Sequence, residues 1–491
     1  MSGLTFASAH QLARMIRQRE VSAVEVVNAY LTQIAKHNSK LNAVCTLDEE
    51  RALVRARLAD EALFRGEHWG TLHGVPITIK DFFETQGLRT TAGYPPLRNY
   101  VPEQDATVVA RLRSAGAILV GKTNPSDVNG TYQGVNDVFP RVNNPWNLDY
   151  TTGGSSSGSA AAIAAGFSAL DIGSDLAGSI RQPAHCCGIY GLKPTDRRVS
   201  LAGHILEIPG LPKCIRQMLV PGPLARSVED LRLCFSLIAG ADPRQPDIPP
   251  VPVDEPLLKP FNQLRIAWSD NFRVHIAAEI QTVVHKAVNK IAQSGANIQQ
   301  WTPSNLDWTA AQALYYTMAA SNYRYAQPPT QNAARKSFTF LWREATQGEN
   351  SLRKLGNPNQ ALKELFAPTL QGYFEALTER DCLIAQFEQA LESWDVWLCP
   401  VSATPAFTDR DAWTAIEVDG RIYPHALACG AYTMPFNLTG NPVVVIPIGQ
   451  TQNGLPIGLQ IVGKRWREME LLAIAVEIDK VVGSLQHPPG Y

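Results

Sequence analysis

Between Thr151 and Gly158 the chain reads Thr-Thr-Gly-Gly-Ser-Ser-Ser-Gly, and it continues at once into the Ala-rich stretch Ser159 to Phe167. A Gly/Ser run on its own is a flexible linker. A linker is rarely followed directly by a strong helix former. A glycine-rich turn that opens a helix instead presents backbone N–H groups to an anion or a reacting oxygen. A second turn of the same kind follows, Gly173-Ser174-Asp175-Leu176-Ala177-Gly178-Ser179-Ile180-Arg181, with a serine at its end. Upstream, Val75, Ile77 and Ile79 alternate, which predicts a strand that delivers Lys80 at its end. A lysine and two serine-bearing turns are therefore the features around which the fold must be built.

The flanking segments fit an α/β chain. Leu12, Met15 and Ile16, then Val24, Val27, Tyr30, Leu31 and Ile34, recur at helical steps and predict two amphipathic helices within residues 4–36. A charged helix is expected over 48–64. A helix over 106–112 runs through Gly116 into the apolar strand 117–120. Six prolines between positions 243 and 256 mark an exposed extended connector. After it the pattern predicts a strand (264–268), a helix (277–293), a second strand, two late strands (396–398 and 443–448) and a closing helix (468–482). Residues 301–342 are rich in aromatics. Trp308, Tyr315 and Tyr323 share one helix face there, either as ordinary core or as pocket lining.

Composition excludes several classes. Lys plus Arg is 44 and Asp plus Glu is 45, for a formal charge of −1, so no basic surface for nucleic acid is expected. The eight cysteines show no CxxC spacing, and adjacent Cys186 and Cys187 suit neither a zinc site nor a disulfide framework. No basic flank and apolar run marks the N-terminus as a signal peptide. The most lipid-like stretch, 160–170, is too short to span a bilayer. The expectation is a cytoplasmic globular protein with no membrane partner, no metal and no cofactor.

Generic catalytic motifs are weak. Gly154-Ser155-Ser156-Ser157-Gly158 matches G-x-S-x-G, which would make Ser156 a nucleophile, but residues 144–150 before it do not form the buried strand such an elbow requires. His185 with Asp175 suggests a Ser-His-Asp set, yet a lone His in Pro-Ala-His-Cys-Cys is more often structural. Amide cleavage without a metal needs a nucleophile, a base and donors for the oxyanion. A serine ending a glycine-containing turn supplies the first and last of these. A lysine serves as base only if its pKa falls by roughly 3 units from ~10.4.

Taken together, Gly153 to Ser159, Asp175 to Arg181 and Cys187 to Thr195 strongly resemble the amidase signature family. So do His73-Gly74-Val75-Pro76-Ile77, Lys80-Asp81, Gly121-Lys122-Thr123-Asn124, Asn144-Pro145-Trp146, Gly222 to Arg226 and Pro435 to Gly440. The resemblance covers residues 1–240 and 395–480, and the middle only loosely. It implies an α/β fold with a mixed twisted sheet covered by helices on both faces. The whole chain, 1–491, would be one amidase domain, with 1–240 and 395–491 as catalytic core and 241–394 as a variable, helix-rich, substrate-side region. It also implies a Ser-cis-Ser-Lys triad in which Ser179 is the nucleophile, Ser155 the bridging cis-serine and Lys80 the base. The oxyanion donors would be the N–H groups of Leu176, Ala177, Gly178 and Ser179. One departure is Ala177-Gly178 where the family commonly has Gly-Gly, tolerable if the Ala177 φ is negative.

The family includes fatty amide hydrolases, peptide and aryl amidases, and the glutaminase subunit of a tRNA-dependent amidotransferase. The first carry an added apolar N-terminal helix that is not seen here. The last typically has an acidic residue before the T-x-P-x-N-L segment, where this chain has Ala428-Cys429-Gly430-Ala431-Tyr432. That neutral stretch and the aromatic middle segment favour a small-molecule amide with an apolar or aromatic acyl group. The alternatives are the glutaminase subunit, which would need protein partners, and a non-catalytic binding protein on the same fold. A homodimer is left open.

Overall fold

The computed structural model describes residues 2–126, 131–205, 213, 215–257, 259–326, 369–408, 410–411, 414–483 and 485–491. Its frame is an 11-stranded mixed sheet. In chain order the strands are β1 (Val44–Leu47), β2 (Pro76–Lys80), β3 (Ile118–Thr123), β4 (Leu170–Asp175), β5 (Tyr190–Lys193), β6 (Val220–Ala225), β7 (Arg265–Trp268), β8 (Asn297–Gln300), β9 (Val396–Pro400), β12 (Val443–Gln450) and β13 (Pro456–Val462). A separate hairpin is formed by β10 (Ile416–Val418) and β11 (Arg421–Tyr423). The spatial order is β1-β3-β2-β4-β6-β5-β12-β13-β9-β7-β8. Strand β2 lies parallel to both β3 and β4 and is buried along its whole length, which is why it reads as apolar up to Lys80.

Helices cover both faces, as alternation along β12 makes plain. Val444 and Ile446 pack with residues of α8 (Val228–Ile238), α9 (Ala278–Gln293) and α14 (Glu468–Val482). Val445, between them, packs with residues of α6 (Ser157–Ala164) and α7 (Arg181–Cys187). Successive side chains of a strand point to opposite faces, so the two helix sets lie on opposite sides of the sheet.

The N-terminal segment forms α1 (Ser2–Phe6), α2 (Ala9–Arg17) and α3 (Ala23–Leu41); the second and third open on capping boxes, Ser8 with Gln11 and Ser22 with Glu25. Helices α4 (Glu49–Phe64), α5 (Thr107–Ser114), α9 and α14 fall where the periodicity places them. The prediction of two late strands is corrected to three, β9, β12 and β13. Strand β13 carries two residues that speak against a strand, Gly458 and Gln460, and both are used in the core: Gln460 donates to Pro400 O and Tyr432 O. Strand β6 is disguised by Pro221 and Pro223. Its pairing with β5 is confined to Ala225 and Leu224, short of those prolines.

The middle segment contributes β7 and β8 to the same sheet, followed by α10 (Trp308–Ala326) and α11 (Leu370–Leu391). Trp308 packs against Phe272, Phe387 and Trp397 and belongs to the core. The side chain of Tyr323, and residues 327–342 of the aromatic segment, lie outside the described residues. Two short helices, α12 (His425–Gly430) and α13 (Met434–Leu438), complete the set. Among the described residues no helix is long and apolar enough to cross a membrane.

Candidate active site

The site is assembled at the ends of β2 and β4 and the starts of α6 and α7. All eight residues of α6 are buried, and at Gly158 close approach leaves no room for a side chain. A Cβ on Gly158 would lie 2.4 Å from Ala43 O and 2.5 Å from Asn124 N. Gly154 is equally confined, by Ser126 Oγ and Thr131 O at 2.4 Å. The peptide bond joining Gly154 to Ser155 is cis. Ser156 N–H donates to Ser179 O at 3.1 Å, which ties the two serine-bearing turns to each other.

Lys80 is fully buried, and its side-chain nitrogen donates to Ser155 Oγ at 2.8 Å and to Ser174 Oγ at 3.2 Å. It also stands 4.6 Å from the centre of the Phe82 ring. Burial brings its pKa down to about 7, against the opposing pull of the Asp175 and Asp171 carboxylates. Asp171 is itself raised to about 6 by burial, although Thr78 and Thr123 donate to its Oδ2 at 2.6 and 3.0 Å. Lys80 is sealed and Ser155 nearly so, whereas Ser179 and Ala177 are half-buried.

Asp175 shapes the second turn. Gly178 N–H donates to its Oδ1 at 2.8 Å and Ile180 N–H to its Oδ2 at 3.1 Å, while Arg181 grips both oxygens through Nη2 (2.9 Å) and Nε (3.0 Å). Burial alone would raise this carboxyl, yet Arg181 and the Asn437 amide hold it far below the usual carboxylate range. Gly178 sits at φ +119°, and a Cβ there would lie 2.6 Å from Thr433 Oγ1. Ala177 is not at positive φ, which satisfies the condition set by its departure from Gly-Gly. Of the four amides expected to serve as oxyanion donors, the Gly178 N–H is thus engaged by Asp175. Those of Leu176, Ala177 and Ser179 have no acceptor among the described residues.

The other sequence candidates fall away from this centre. Ser156 is sealed in the interior, and its Oγ has no hydrogen-bond partner among the described residues. His185 accepts the Gly458 N–H on Nδ1 at 2.9 Å, and burial pushes its pKa down to about 4. It is a structural histidine, and Asp175 serves Arg181. Asp81 turns to Lys122 (3.7 Å) and to Thr91, whose hydroxyl donates to it at 2.6 Å. Among the described residues no three His, Cys, Asp or Glu side chains are grouped as a metal site.

Several contacts have no forecast in the sequence. Ser174, Asp171, Tyr132 and Tyr315 gather around Lys80 or the second turn from distant parts of the chain. No local pattern marks Tyr132; Tyr315 stands out on an aromatic helix face, but its contact with the second turn does not. The residues next to the neutral stretch and the turn connect them: Thr433, just after the stretch, donates through Oγ1 to Ala177 O at 2.6 Å, and Gln182, just past the turn, donates through Nε2 to Cys429 O.

An amidase family model matches residues 25–472. A glutamyl-tRNA(Gln) amidotransferase subunit from Alkaliphilus metalliredigens is 33% identical over 491 residues, covering 96% of each chain. The solved 6-aminohexanoate cyclic dimer hydrolase superposes with a TM-score of 0.79 at 25% identity, over 99% of both chains. A fatty acid amide hydrolase superposes with a TM-score of 0.80 at 23% identity, over 98% of this chain and 86% of its own, a likeness of fold. Similarity that spans nearly the whole chain, on a mixed sheet with the signature turns in place, establishes that the protein belongs to the amidase signature family, enzymes that act on the C–N bond of amides.

Proposed function

We propose that the protein hydrolyses a carboxylic amide through an acyl-enzyme on Ser179, with Ser155 as proton relay and Lys80 as base. The observation that carries this is the 2.8 Å contact from a fully buried lysine, at a pKa of about 7, to Ser155 Oγ. Neutral Lys80 takes a proton from Ser155, which takes one from Ser179 as that oxygen bonds to the amide carbon. The carbonyl electrons move onto oxygen, which is met by N–H groups of the turn, with Leu176, Ala177 and Ser179 holding the unengaged ones. The relay then runs backwards to protonate the leaving nitrogen. Water repeats the sequence to release the acid.

The acyl group is read as apolar or aromatic. The stretch Ala428 to Tyr432, tied to the turn's surroundings through Thr433 and Gln182, carries no acid to hold a substrate ammonium group. A second reading, glutaminase subunit of an amidotransferase, draws on the 33% identity to relatives of that name over 96% of the chain. Those relatives are named for glutamyl-tRNA, which stands against the expectation, from net charge, that nucleic acid is no partner. The test is kcat/KM of the purified chain on matched aryl, alkyl and glutamine amides. A glutamine value above those of the apolar amides would replace the first reading by the second.

A further inference from the structure

We propose that Tyr315 is a positioning residue of the second turn: it fixes the Leu176–Ala177 peptide so that the Ala177 N–H is aimed at the substrate oxygen. This rests on the reading of that turn as the oxyanion site. Tyr315 comes from α10, in the middle segment that resembles the family only loosely. It is 4% exposed, and its hydroxyl donates to Leu176 O at 3.1 Å. In a trans peptide the C=O and N–H point in opposite directions, so anchoring the oxygen dictates where the hydrogen points.

The two successive peptides of the turn differ in a telling way. The Ala177–Gly178 peptide is satisfied at both ends. Its oxygen accepts from Tyr132 (2.8 Å) and Thr433 (2.6 Å), and its N–H goes to Asp175. The Leu176–Ala177 peptide has its oxygen held by Tyr315, while its N–H has no acceptor among the described residues, at a residue that is half-buried. A backbone N–H left without a partner beside a nucleophile is a donor in waiting. The bond from Tyr315 also polarises that amide and strengthens it as a donor. A tyrosine hydroxyl in a core needs some acceptor, and a purely structural role would end there. The positioning role makes a further demand, that its loss be felt in the transition state.

The experiment compares Tyr315→Phe with Tyr190→Phe, which removes another buried hydroxyl, bonded to Asp479. With an aryl amide as substrate, Tyr315→Phe is expected to lower kcat about tenfold with KM within about twofold. Its affinity for a boronic acid, which forms a tetrahedral anionic adduct, should fall by the same factor. Tyr190→Phe should leave both unchanged. Unaltered kcat and boronate affinity in Tyr315→Phe, or a loss confined to KM, overturns the positioning role. Ser179→Ala is measured alongside. If it still turns over, the reading of the turn itself fails. If it is inactive while Tyr315→Phe matches wild type, the positioning role alone falls.

Discussion

Lys80 Nζ lies 2.8 Å from Ser155 Oγ with the lysine wholly removed from solvent, a pairing that a charged ammonium in bulk water would have no reason to seek. Burial weakens the charged form enough to bring the pKa to about 7. The proposed base is therefore substantially neutral at physiological pH.

The rate should follow that titration. Protonated Lys80 cannot accept a proton, so kcat/KM should rise with pH through an acid limb near 7 and level above it. Lys80→Ala should cost about 10³-fold at neutral pH and lose the limb. Lys80→Arg should be almost as damaging, since a guanidinium does not deprotonate. A Lys80→Ala enzyme that keeps the same limb at mildly reduced rates would move the base elsewhere.

Ser179, half-buried at the end of its turn, should be the serine that a fluorophosphonate modifies, because it ends the turn that carries the unengaged amides and bears one of them. Ser156, sealed and facing the interior, should stay unlabelled. Ser179→Ala should lower turnover by at least about 10⁴-fold with an unchanged melting temperature. Peptide mapping of the adduct decides between the two serines.

Much of this is legible in the sequence because the signature is local. The strand to Lys80, the Gly/Ser turn into an Ala helix and the turn ending in Ser179 each follow from composition over a dozen residues. Periodicity also finds α4, α9 and α14. What stays hidden is what depends on tertiary contact. The prolines of β6 and the glycine and glutamine of β13 argue against strands until their neighbours are known. That hydroxyls from positions 132, 315 and 433 converge on one turn, no local pattern encodes. The aromatic segment reads as core or pocket lining. Trp308 fits the first, while Tyr315 reaches the backbone of the second turn, a role that neither option names.

Gly178 should not tolerate a side chain. It combines φ +119° with a Cβ position 2.6 Å from Thr433 Oγ1, so Gly178→Ala must shift the turn or displace α13. Either movement misaligns the donors, and kcat should fall about 10²-fold. Ala177→Gly, at a half-buried position whose φ is not positive, should keep activity within a few-fold. Equal tolerance at both positions would mean the turn is softer than its contacts imply.

A buried base also costs stability, and the cost depends on pH. Unfolded, Lys80 titrates near ~10.4; folded, it titrates at about 7. Between those values the unfolded chain holds a proton that the folded protein has released; the unfolded state therefore binds more protons, and stability rises with pH relative to a protein lacking the group. Below pH 7 both states carry the proton, and the full penalty of a buried charge applies. Lys80→Met removes the group. The stability of wild type relative to Lys80→Met should therefore improve by about 3 kcal/mol between pH 7 and 9.5, at about 1.36 kcal/mol per pH unit. Lys193, buried and also near 7, titrates in both proteins and cancels from the difference. Urea unfolding of both proteins at several pH values measures this directly. A pH-independent difference would show that Lys80 enters the folded state with an unperturbed pKa, and would remove the physical basis for its role as base.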